Sequence, residues 1–100
     1  MVAILEAQKQ YPTIPIHTLQ VLYRYIDCKL QPGTFLVNVL SNDLKGAFDY
    51  ADIHNEKVMK EIVKFVYFEL PPESWGNEDR VNAWIASKKH VKGTDATGKD

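Results

Sequence analysis

Between Pro32-Gly33 and Pro71-Pro72 the apolar residues recur at intervals of three and four, which favours helices with a buried face in this part of the chain. Leu36, Leu40, Leu44, Ala47, Phe48 and Ala51 share one such face, and Phe35 and Val39 widen it. Thr34 is placed to cap it, so a single central helix is predicted as far as Ala51. Asn38, Asn42 and Asp43 run against that helix, because short polar side chains compete for nearby backbone groups. Such conflicts mark buried polar networks or binding sites.

The rest of the chain divides around this stretch. Residues 1–13 read as a lead-in that ends at Tyr11-Pro12, a pair that favours extended or turn backbone. Thr13 with Pro15 starts a first helix over about residues 14–30, with Leu19, Leu22, Tyr23, Ile26 and Leu30 inside and His17, Gln20, Arg24, Asp27 and Tyr25 outside or near the edge. A third helix is predicted over about 55–69. Val58, Met59, Ile62, Val63, Phe65, Val66, Tyr67 and Phe68 cover most of its circumference, leaving a polar stripe of Lys57, Lys60, Glu61 and Lys64. The β-branched and aromatic cluster over 63–70 also fits a buried strand, but the charges at helical spacing before it favour helix. After Pro71-Pro72, Asn77 is placed to cap a short last helix with Val81, Trp84 and Ile85 inside. From Lys89 the chain turns basic, then small and polar. The expected architecture is all-α: three main helices plus a short C-terminal one in a domain over 14–88, with a disordered tail over 89–100. A third helix apolar nearly all round needs more cover than so small a bundle supplies, so a homo-oligomer joined through it is expected.

Composition limits the function classes. A balance of 12 basic against 13 acidic residues gives a net charge of -1, which argues against a broad surface for duplex nucleic acid. The one cysteine, Cys28, has no internal disulfide partner, and no apolar run approaches the ~20 residues of a membrane span, so an intracellular protein outside the membrane is expected. His17, His54 and His90 lie far apart and outside any two-histidine metal motif, and no nucleophile, phosphate-loop or dinucleotide signature occurs. No catalytic residue, metal site or cofactor is assigned, and an enzyme is not expected.

Binding is easier to motivate. Arg24, Tyr25, Lys29, Phe35, Asn38, Asn42 and Trp75 lie near the two turns or on neighbouring helix faces. Aromatic rings and guanidinium planes stack on bases, Arg and Lys neutralise phosphate, and an Asn amide offers a paired donor and acceptor to a base edge. Core packing is the competing account of Tyr23, Phe35 and Trp75, and a structural network or helix cap that of Asn42 and Asp43.

The run Pro32-Gly33-Thr34-Phe35-Leu36, Val39-Leu40, Asn42-Asp43-Leu44, Ala47-Phe48, Ala51-Asp52, Asn55, Ile62-Val63, Phe65, Tyr67, Pro71-Pro72, Trp75-Gly76 and Val81 with Trp84 resembles a widespread family of short phage-encoded hypothetical proteins over about residues 14–88. Thr34 departs from the small residue common there, and the Lys-rich tail has no counterpart. The resemblance implies a phage anti-defence protein in the cytoplasm of an infected bacterial host. In that role it would be a sponge that sequesters a cyclic di- or oligonucleotide signal of CBASS-type immunity in pockets at a subunit interface, without turnover. There Arg24 and Lys29 would meet phosphates, Tyr25, Phe35 or Trp75 would stack, and Asn38 and Asn42 would read base edges. The alternative is a phage interaction module, an inhibitor or adaptor docking on a host factor through Phe65, Tyr67 and Phe68.

Overall fold

A computed structural model describes the backbone of residues 1–93 and the side chains through Ser87. Among the described residues the chain is all-helical, with no strand. The helices are α1 (Ile4–Gln10), α2 (Ile16–Cys28), α3 (Thr34–Leu40), α4 (Leu44–Tyr50), α5 (Ile53–Lys57), α6 (Met59–Glu69) and α7 (Glu78–Gly93), with a 3-10 turn over Pro72–Ser74 before the last. The possible strand over 63–70 is thus helix. The expected tail contributes residues 89–93 to α7, which is not short, and its remainder, 94–100, lies outside the described residues.

Leu19, Leu22 and Tyr25 of α2 and Ile62, Phe65 and Val66 of α6 form the centre of the core, closed by Leu36 and Leu40 of α3 and Val81 of α7. The lead-in is part of it. Ala7 of α1 is fully buried, Tyr11 meets Phe65 edge-on with ring centroids 5.2 Å apart, and the Tyr23 hydroxyl donates to the Val2 carbonyl. Burial first, and the nearby Glu69 carboxylate second, push the Tyr11 and Tyr23 hydroxyls above their ordinary pKa.

Several boundaries differ from the expectations above. The N-cap of α2 is Pro15 and that of α3 is Gly33, neither with a side-chain bond, so Thr13 stays outside one helix and Thr34 lies inside the other. Asn77 does cap α7, its Oδ1 accepting from the Arg80 N–H at 2.8 Å. The central helix is two helices, broken where Asn42 adopts a left-handed φ of 63° and Asp43 caps α4 by accepting the Gly46 N–H at 2.9 Å. The third helix bends at Val58, with Asp52 capping its first part through the Asn55 N–H at 2.7 Å.

The bend at Asn42 changes what is buried. It turns α4 back along α3, and the Leu44 and Phe48 side chains that a straight helix would align with Leu36 and Leu40 are exposed instead. Leu30, expected inside α2, is also exposed, since α2 ends two residues earlier at Cys28 and is followed by Lys29 in the left-handed region with φ 59°.

Candidate functional site: a groove between the α3–α4 elbow and α6

The tight α3–α4 elbow forms one wall of a groove, and α6 forms the other. Gly46 permits the close approach: a Cβ there would sit 2.7 Å from Asp43 Oδ2 and 2.9 Å from Asn38 Cγ. Past the elbow the free Leu40 carbonyl at the end of α3 accepts the Gly76 N–H at 2.8 Å. That bond fixes the turn carrying Trp75 at the end of the groove. Trp75 is further held by its Nε1 donating to the Leu70 carbonyl at 3.3 Å and by an edge contact with Tyr67, centroids 5.7 Å apart.

The resulting cavity holds about 210 Å³. Val39, Ala47, Met59 and Val66 make an apolar floor, Leu44, Val63 and Tyr67 stand at the mouth, and Asn38, Asn42 and Asp43 supply a polar edge. Leu44 is 66% exposed, Val63 47% and Tyr67 63%, a concentration of uncovered apolar surface that does not occur in the central core. Chemically, the groove can take an apolar group or a flat ring and offer amide hydrogen bonds at one side.

The seven residues singled out by sequence divide into two sets. Asn38, Asn42 and Trp75 do line this one groove. Arg24, Tyr25, Lys29 and Phe35 do not. Tyr25, placed near the outer edge of its helix by spacing alone, is fully buried because the 3-10 turn and α7 cover it. Its hydroxyl donates to the Ser74 carbonyl at 2.6 Å, and its own carbonyl accepts Trp84 Nε1 at 2.9 Å. It has no free face on which to stack a base. Lys29 Nζ lies 3.2 Å from the centre of the Trp84 ring, a cation–π contact that turns its ammonium group towards α7. Phe35 is partly buried against the core, and Arg24 is exposed on α2. Phe65, assigned to a docking face by sequence, is fully buried, whereas Tyr67 and Phe68 are exposed.

Asp43, Leu44 and Val63 complete the groove and were not singled out as site residues. The run Asn42-Asp43-x-x-Gly46 carried the signal for the first two: a residue tolerant of left-handed backbone, then an N-cap, then a glycine where two helices touch.

A second, wider cleft of about 710 Å³ lies between the N-terminal segment and the ends of α2 and α6. Asp27 and Glu69 line it beside Tyr23 and Ile26, without a Lys or Arg, which makes it a poor receptor for phosphate. Among the described residues no group of three or more His, Cys, Asp or Glu converges as a metal site would, and no helix is long and apolar enough to cross a membrane. No family model matches the chain, and no curated protein or solved structure matches it either.

Proposed function

We propose that this chain is a self-assembling, non-catalytic interaction module of phage origin that docks on a host factor in the cytoplasm of the infected bacterium. The groove between the α3–α4 elbow and α6 is its working surface. What carries the reading is the band of exposed Leu44, Val63 and Tyr67 around an apolar floor. The test is capture of bacterial host proteins by the wild type and by Tyr67→Ser. A partner held by the wild type and lost by the variant, with both far-UV circular dichroism spectra alike, supports docking through the groove. Equal capture by both removes the groove from the function.

A second reading keeps the cyclic-nucleotide sponge. The convergence of Asn38, Asn42 and Trp75 on one groove supports it, since amides and an indole suit the edge and face of a base. Against it stand the separation of Arg24, Tyr25 and Lys29 from the groove and a volume below the ~300 Å³ at which small-molecule pockets usually begin. Isothermal titration with a panel of cyclic di- and oligonucleotides decides: heat that disappears in Asn38→Ala restores the sponge, and no heat from any of them removes it.

A further inference from the structure

The α4–α5 corner gathers exposed apolar side chains. Ile53 is 75% exposed, Tyr50 63% and Phe48 43%, and α5 contains no buried residue. Carboxylates flank these side chains: Asp49 is tied to Lys45 at 2.8 Å, Asp52 caps α5, and Glu56 has no ion-pair partner among the described residues. The α6 edge of the groove presents the opposite charge. Helical spacing sets Lys60 one turn before Val63 and Lys64 one turn before Tyr67, so two exposed ammonium groups run along its α6 edge. Neither is in an ion pair among the described residues, where Lys45–Asp49 is the single one.

Resting on the reading of the groove as a docking surface, we propose that its occupant in the free protein is a second copy of this chain. The corner of one copy, led by Ile53 and Tyr50, seats against Leu44, Val63 and Tyr67 of the other, and Glu56 meets Lys60 and Lys64 across the edge. Both halves of the match include α4, through Tyr50 in the corner and Leu44 at the groove mouth. An isologous two-fold interface requires this of a single patch, that it carry both the knob and its receptor. The chain's last residues, 94–100, contain no large apolar side chain and are a poor alternative occupant. A host factor then reaches the groove by competing with the corner.

Sedimentation equilibrium on the full chain tests the pairing with three variants. Ile53→Asp, at a site too exposed to matter for folding, is expected to weaken dimerisation by about tenfold or more, as loss of a central apolar anchor does. Lys60→Glu should weaken it by roughly two- to fivefold, more at low salt than at high, and adding Glu56→Lys to it should recover most of the loss. A wild type that stays monomeric at several hundred micromolar overturns the proposal, as does an Ile53→Asp protein that dimerises like the wild type. Dimerisation lost in Val63→Asp but kept in Ile53→Asp also overturns it while leaving the groove as an interface. Failure here is distinct from failure of the docking function, which is read from host-protein capture by monomeric Ile53→Asp.

Discussion

The α2–α6 centre and the α4–α5 arm draw on the same kinds of residue and treat them differently. In the centre Tyr25, Phe65, Leu19, Leu22 and Ile62 are fully buried, and the one buried hydroxyl among them has its acceptor at 2.6 Å. In the arm, Ala47 is the sole buried residue, while Leu44, Phe48, Tyr50 and Ile53 face outward. Hydrophobicity therefore does not distinguish the two; the backbone break at Asn42 and Asp43 does, by folding α4 back on α3. The exposed apolar side chains of the arm are therefore not there to hold the monomer together.

Truncating one aromatic ring in each region separates the two most strongly. Phe65→Ala removes a ring enclosed by Tyr11 and Tyr23, and should cost about 3–5 kcal/mol of stability in urea denaturation. Tyr50→Ala, in the arm, should change it by no more than about 0.5 kcal/mol. Equal losses would mean that the arm is a structural element after all.

Polar burial in the centre gives the next largest effect. Tyr25→Phe leaves the Ser74 carbonyl without its phenol donor and should cost about 1–3 kcal/mol. Burial also raises the Tyr25 pKa well above the ordinary 10.0, so the folded state holds a proton that the unfolded chain releases. The associated stability is present in full below about pH 10 and falls away as pH rises beyond it towards the folded pKa. An alkaline titration of stability should show a shallower decline in Tyr25→Phe than in the wild type.

How far the fold was legible follows from which signals are local. The 3.6-residue period and the Pro-Gly and Pro-Pro stops set out α2, α6 and the start of α7, because burial of a single face and missing N–H donors act within one helix. Tyr25 was misplaced because a helical wheel shows which residues share a face and not which later segment, here the 3-10 turn and α7, will cover it. The Asn42 break was hidden because Leu40 and Leu44 keep helical spacing across it, so the apolar pattern runs on where the backbone does not. Of the candidate site, Asn38 and Asn42 are legible as polar residues against the preference of their helix, and Trp75 as an aromatic residue close to a turn. The opposite wall at Val63 was not, since only tertiary packing brings α6 there.

Gly46 probes the elbow itself. In an ordinary helix interior Gly→Ala gains up to about 1 kcal/mol, but here the added methyl would meet Asp43 Oδ2 and Asn38 Cγ at 2.7 and 2.9 Å. Gly46→Ala should therefore destabilise by about 1–2 kcal/mol after that gain is offset. A stabilised variant would show that α3 and α4 are not pressed together and that the groove wall is loose.

Substitutions at Asn42 separate backbone from chemistry. If the residues around it formed one straight helix, Asn42→Ala would be stabilising by a few tenths of a kcal/mol, because alanine is the better helix former. At a φ of 63° the sign reverses: an alanine Cβ crowds the next carbonyl and costs about 1 kcal/mol, whereas Asn tolerates the region and Gly adopts it freely. Thermal denaturation should thus rank Asn42→Gly near the wild type and Asn42→Ala below both. The same pair tests the amide, because Gly and Ala both delete it while only Ala strains the turn. Binding at the groove that weakens equally in the two variants belongs to the amide, and binding that weakens in Ala alone belongs to the geometry of the elbow. An Asn42→Ala protein more stable than the wild type would put the chain back into a single helix across 34–50 and dissolve the distinction between arm and centre.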